Sequence, residues 1–172
     1  STGMKNAGIE VDVRIITKEV IIPSRDITER LNLKPGEKVL HLERVAYSQD
    51  QPLNLLISDI ALNTCDLEKM TSFEGGSLYQ HFAKECGIHL NYSQNNIEVT
   101  FATEHESRLL NLARGAVMIQ ILSVSYDSTG MAVENSRGVY PATMFGFQFE
   151  SHISSGDRTV AGSGVVFTSQ NQ

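Results

Sequence analysis

Only two cysteines, Cys65 and Cys86, occur among the 172 residues. They are too few and too widely spaced for a disulfide framework or a thiolate metal cluster, so they read as two buried thiols. Positive charge is in deficit as well: 14 Lys and Arg against 20 Asp and Glu leave a net charge of -6. Gripping a nucleic-acid backbone needs clustered Lys and Arg, so this chain is not itself a DNA clamp. No apolar run of about 18 residues is present, which argues against a membrane-spanning helix. The N-terminus lacks the charged-then-apolar layout of a signal peptide, and a cytoplasmic protein is expected. His41, His81, His89, His105 and His152 are scattered without metal-ligand spacing, so neither a metal site nor a cofactor is expected. What remains is 41% hydrophobic and 20% charged, ordinary for one globular core.

The stretch Phe73 to Gly87, FEGGSLYQHFAKECG, organises the rest. Gly75 and Gly76 allow a sharp turn, Ser77 with Gln80 is a helix-opening pair, and Gly87 is a stop, so a helix is expected from Leu78. Its first amides, at Gly76, Ser77 and Leu78, form a candidate anion seat; the plainer reading is that Ser77 only caps the helix.

Ahead of it, Ile9, Val11, Val13 and Ile15 alternate before the parity changes to Val20 and Ile22, which predicts a strand bent near Thr17. Asp26 with Glu29 forms a capping pair for a short helix. A strand from Lys38 to Tyr47 and its hairpin return from Leu53 to Ile60 follow, then one helical turn between Thr64 and Met70. After it come a strand from Asn91 to Thr103 and a helix opened by Thr103 with Glu106 and stopped at Gly115. A hairpin of Val117 to Tyr126 and Met131 to Tyr140 comes next, then a strand on Phe145, Phe147 and Phe149. Residues 1–10 read as a linker remnant, 11–150 as the domain, and 151–172 as a mobile tail or a late strand.

Two strands carry chemistry. Arg44 shares the more apolar face of its strand with Leu40, Leu42 and Ala46. A buried guanidinium needs an anion, either an internal carboxylate such as Glu98 or Glu134, or a bound ligand. On the last strand of the hairpin Glu134, Ser136, Gly138 and Tyr140 share one face, which is either solvated or the wall of a pocket.

LNLKPGEKVLHLERVAY (Leu31 to Tyr47), QPLNLLISDI (Gln51 to Ile60), GGSLYQHF and the stretch from His105 to Tyr140 resemble, in order and spacing, the UTRA effector domain of GntR/HutC-type transcription regulators. The resemblance covers roughly Val11 to Phe147 on motif order. It implies an α+β, chorismate-lyase-like fold, a mostly antiparallel β-sheet flanked by helices. It also implies a homodimeric, non-enzymatic sensor that binds a small anionic effector and reaches operator DNA through an N-terminal winged helix-turn-helix domain. Phosphosugar-sensing relatives hold phosphate with the helix-opening serine, here Ser77, and strand arginines, of which Arg44 remains. They hold the sugar at positions matching Glu134 and Tyr140. Ala46, Leu56 and Pro141 to Met144 depart from that pattern, which leaves the phosphosugar itself open while an anionic group, as in a sugar phosphate or sugar acid, still fits. The alternative from a different class is a small lyase of the same fold, with Arg44 holding a carboxylate and Glu134 as acid or base.

Overall fold

Six strands with alternating side chains build one antiparallel sheet in the computed structural model, which describes residues 11–154 and 157–166. The expected linker, residues 1–10, lies outside the described residues. The strands are β1 (Asp12–Ile21), β2 (Val39–Ser48), β3 (Gln51–Ala61), β4 (Leu90–Phe101), β5 (Val117–Asp127) and β6 (Ala132–Pro141), in the spatial order β1-β2-β3-β6-β5-β4. The parity change in β1 is a register shift between Ile15 and Thr17 against β2, so the bend falls where the hydrophobic pattern places it.

Each face of the sheet has its own cover. On one face Val45, Leu55, Met118 and Val139 pack with Leu110 of α4 (Glu104–Leu110), using the helix stripe that Leu109 and Leu110 define. At one end of the sheet, Leu31 and Leu33, which follow α1 (Arg25–Arg30), pack with Val39, Ala61 and Ala132. On the opposite face Leu40, Leu42 and Ile60 meet Met70 of α2 (Leu67–Thr71), Phe73, Leu78 of α3 (Leu78–His81) and Phe82. Phe73 and Phe82 are each essentially fully buried; burying such a ring is worth about 1.5–3 kcal/mol.

Local chemistry moves several boundaries. α1 is capped by Ser24, whose hydroxyl accepts from the Ile27 amide, and not by Asp26. α4 has the Thr103–Glu106 capping box but ends at Asn111 in the left-handed region, well before Gly115; asparagine is among the few residues that adopt that conformation cheaply. The central helix starts at Leu78 behind Ser77, yet holds only four α-helical residues before a five-residue π turn (Phe82–Cys86), with Gly87 left-handed at its end.

The two cysteines are not free thiols: Cys65 and Cys86 form a disulfide with their Cα atoms 5.4 Å apart. The fold brings together residues 21 apart in sequence by packing the loop ahead of α2 beside the π turn. Beyond the sheet, β7 (Gly146–Ser154) and β8 (Asp157–Val166) form an antiparallel pair. Of the C-terminal stretch, residues 155, 156 and 167–172 lie outside the described residues.

Candidate functional site

Cross-strand register assembles the site on the face covered by α2 and α3. Arg44 lies opposite Leu56, Leu56 opposite Gly138, and Gly138 opposite Ile121. One row over, Ser58 faces Ser136 and Ser136 faces Ser123; the next row brings Ile60 to Glu134. The rows share a face because side chains repeat every second residue. Above them the Gly75–Gly76 turn and the start of α3 close a cavity of about 290 Å³, near the lower limit of small-molecule sites.

All seven residues singled out in the sequence, Arg44, Gly76, Ser77, Leu78, Glu134, Ser136 and Tyr140, line this one cavity. Glu98 does not; its carboxylate accepts from Asn96 and Gln120. Arg44 is only 7% exposed, and one guanidinium nitrogen donates to the Ser58 hydroxyl at 2.8 Å while Nε has no hydrogen-bond partner among the described residues. Its pKa is held below the usual arginine value by burial, against the opposing pull of Glu134. The cation is therefore poorly compensated, with a donor left over.

Glu134 is buried to 1% exposure, and one of its oxygens accepts from the Tyr79 hydroxyl at 2.9 Å. Helical periodicity directs Tyr79 outward, so the sequence does not mark it, and the residue as a whole is half exposed. Its hydroxyl nevertheless reaches into the cavity, where burial and the nearby carboxylate push its ionisation well above the ordinary tyrosine range. Ser58, Ser123 and Asn95 also line the cavity unannounced; for Ser58 the signal was available, since it alternates with Leu56 on the strand paired to Arg44.

A side chain at position 138 would have to displace the Tyr140 ring. A Cβ there would stand 2.8 Å from the Tyr140 ring, which folds back along its own strand over Gly138. That ring also packs on Phe145, with centroids 4.3 Å apart. Burial pushes the Tyr140 phenol up to about 12, so at neutral pH it is a hydroxyl that can donate and accept. The cavity thus offers one charged fork, one carboxylate and several hydroxyls from the sheet, with one phenol from the floor at Tyr140 and one from the roof at Tyr79.

Ser77 is exposed and its hydroxyl accepts from the Gln80 amide, the cap that the plainer reading expected. Four α-helical residues carry little dipole, so the cationic character of this end rests on Arg44. Among the described residues no cluster of three or more His, Cys, Asp or Glu could hold a metal ion, and no helix is long and apolar enough to cross a membrane.

A ligand-sized pocket on an antiparallel sheet, polar at its floor and partly roofed by a short helix, is the architecture of a small-molecule-binding domain. The chain belongs to the UTRA domain family, whose model matches residues 6–146. It is 23% identical over 144 residues to the HTH-type transcriptional repressor NagR of Bacillus subtilis, covering 84% of this chain and 59% of that protein. It is 25% identical over 134 residues to a probable fructoselysine utilization operon transcriptional repressor of Escherichia coli, covering 75% of this chain and 53% of that protein. The chain therefore spans just over half the length of these curated relatives. Among solved structures it is similar to the effector domain of PhnF from Mycobacterium smegmatis, with a TM-score of 0.76, 21% identity, and 83% of this chain and 89% of that one covered. The ligand-binding domain of a GntR-family regulator from Bordetella bronchiseptica matches with a TM-score of 0.70, 21% identity, and 77% and 83% coverage. The α+β, chorismate-lyase-like architecture is that of these effector domains.

Proposed function

We propose that this chain is the effector-sensing and dimerising part of a GntR-type transcription repressor, and that its effector is a small metabolite carrying an anionic group. The observation behind this reading is Arg44: a buried guanidinium with an unpartnered Nε beside a ligand-sized cavity. A phosphate or carboxylate would supply the missing acceptor, with the Gly76–Leu78 backbone at the rim adding donors. Glu134, Tyr79, Ser136 and Tyr140 would then read hydroxyl or amino groups on the rest of the molecule. The regulatory step is a population shift, in which the ligand favours one arrangement of a dimer and so alters operator binding by DNA-binding domains joined to it. Glu134 engaged by a tyrosine is better suited to recognition than to proton transfer, which favours a sensor over a lyase.

A thermal-shift panel of sugar phosphates, sugar acids, amino-acid derivatives and acyl compounds tests the ligand class. A true effector at about 100 times its dissociation constant adds roughly 2.7 kcal/mol, whereas neutral analogues of the same size should add little. Glu134→Gln is expected to weaken binding of the best compound by about 1 kcal/mol, as a charge-assisted bond becomes a neutral one. The free domain should stay folded. A variant that loses stability yet keeps its affinity would make Glu134 a structural partner of Tyr79 only.

Dimerisation has its own support. Edge strand β4 and its neighbour expose Ile97, Val99, Phe101 and Val117, which fall on one face by register; a contiguous apolar strip of this kind marks an interaction surface. Sedimentation at high micromolar concentration should show a two-fold dimer, and Val99→Lys should shift it toward monomer. A strict monomer would refute pairing through this strip.

A further inference from the structure

The Cys65–Cys86 bond has a position that core packing alone does not demand. Between the two sulfurs run α2, the Gly75–Gly76 turn, and the whole of α3 with its π turn, so the loop it closes contains the entire roof of the cavity, including Ser77 and Tyr79. At the roof's front, Gly75 and Gly76 both have positive φ, +136° and +80°. Its rear is Cys86. A helical segment of only nine residues has little stability of its own, since isolated helices below about 12–15 residues are marginal. Both cysteines are partly exposed and lie at the margin of the core cluster instead of inside it.

We propose that this disulfide is a redox-responsive pin that sets the order of the cavity roof. The inference rests on the cavity being the ligand site. A dithiol reductant supplies the chemistry: one of its thiolates attacks a sulfur of the pair, breaking the S–S bond and forming a mixed disulfide. Its second thiolate then displaces the protein sulfur. The protein gains two electrons and two protons as two thiols, and the reductant leaves as a disulfide. Phe73, Met70 and Phe82 are buried, and Lys18 donates to the carbonyls of Thr71 and Phe73, each at 3.1 Å, and to Glu74, contacts that do not run through the S–S bond. Reduction therefore frees the rear of the roof without dissolving the sheet. Tyr79 would lose its fixed approach to Glu134, and the anion seat its rim.

The test is amide hydrogen exchange on the whole chain, oxidised and after treatment with dithiothreitol, alongside titration with inorganic phosphate in both states. Exchange at residues 76–86 should rise by at least about tenfold on reduction while β2, β3, β5 and β6 stay protected, a local opening rather than global unfolding. Phosphate binding should weaken several-fold. Cys65→Ser with Cys86→Ser should show the reduced pattern without reductant and ignore its addition; should that double variant not fold, the reduced natural chain carries the comparison. Unchanged exchange would overturn the proposal. So would a rise spread evenly over the sheet, which would make the bond a general staple, or two thiols freely alkylated in the air-equilibrated protein. Phosphate binding in neither state, with the roof still responding, would refute the anion seat and leave the pin standing.

Discussion

Replacing Glu106 by alanine is expected to cost the folded domain about 3 kcal/mol, combining the loss of a helix cap with the exposure of an uncompensated arginine. Glu106 is only 2% exposed and serves two structures at once. One oxygen accepts from the Thr103 amide at 2.8 Å while its own amide donates to the Thr103 hydroxyl at 3.2 Å, closing the capping box of α4. The other oxygen pairs with Arg137 of β6, which is also held by Gln120 at 2.8 Å. The helix and the sheet are thereby joined through one carboxylate. Arg137 keeps some contact with water, which sets the estimate at the low end for breaking a buried pair.

The same group predicts a pH dependence. Burial alone would raise the Glu106 pKa, but the Thr103 amide and the Arg137 guanidinium outweigh it and hold the carboxyl below its usual value. A depressed folded-state pKa contributes stability that is present above the ordinary glutamate value of about 4.3 and is lost as pH falls through the folded value. Urea denaturation should therefore show a wide gap between the natural protein and Glu106→Ala at neutral pH, narrowing in acid. Glu106→Gln, which keeps an acceptor for Thr103, should fall between them. A loss under about 1 kcal/mol at neutral pH would reduce the pair to an ordinary surface contact.

Arg44→Met separates binding from folding. The substitution roughly keeps the bulk of the stem and removes a charge that is buried, hydrogen-bonded to Ser58, and left with an Nε unpartnered among the described residues. Affinity for an anionic effector should fall by about 1.5–3 kcal/mol, the worth of a hydrogen bond to a charged group. Stability of the free domain should hold or rise, because replacing a buried charge by an apolar side chain is often favourable. The Phe73 ring, centred 5.9 Å from the guanidinium carbon, gives the methionine an apolar neighbour. If the free domain collapses instead, the arginine is an internal counter-charge for Glu134, and the anion seat has been placed wrongly.

Much of this architecture was legible in the sequence because strands write their faces in alternate letters. Arg44 among leucines, and Glu134, Ser136, Gly138 and Tyr140 at even spacing, mark two strand faces in the sequence, which leaves open whether they meet solvent, each other or a ligand; the fold turns both into walls of one cavity. Caps were readable where the signal was unambiguous, as at Thr103 with Glu106, and misread where two polar residues competed, as with Ser24 and Asp26. What depended on tertiary packing was not readable. Cys65 and Cys86 carry no spacing code for their union, and only the seating of α2 beside the π turn brings them together. Nor does periodicity reveal that Tyr79, turned outward on a helix, sends its hydroxyl back to Glu134, or that the buried arginine would meet a serine instead of a carboxylate.

The central claim is that one cavity, between the sheet and the short helix behind Ser77, holds the effector. A crystal structure of the chain with the panel compound that raises its melting temperature most would test it directly. The anionic group should lie within hydrogen-bond distance of the Arg44 guanidinium and the Gly76–Leu78 backbone, with the remainder against Glu134 and Tyr140. A compound bound elsewhere, or bound in this cavity with its anion turned away from Arg44, would contradict the account.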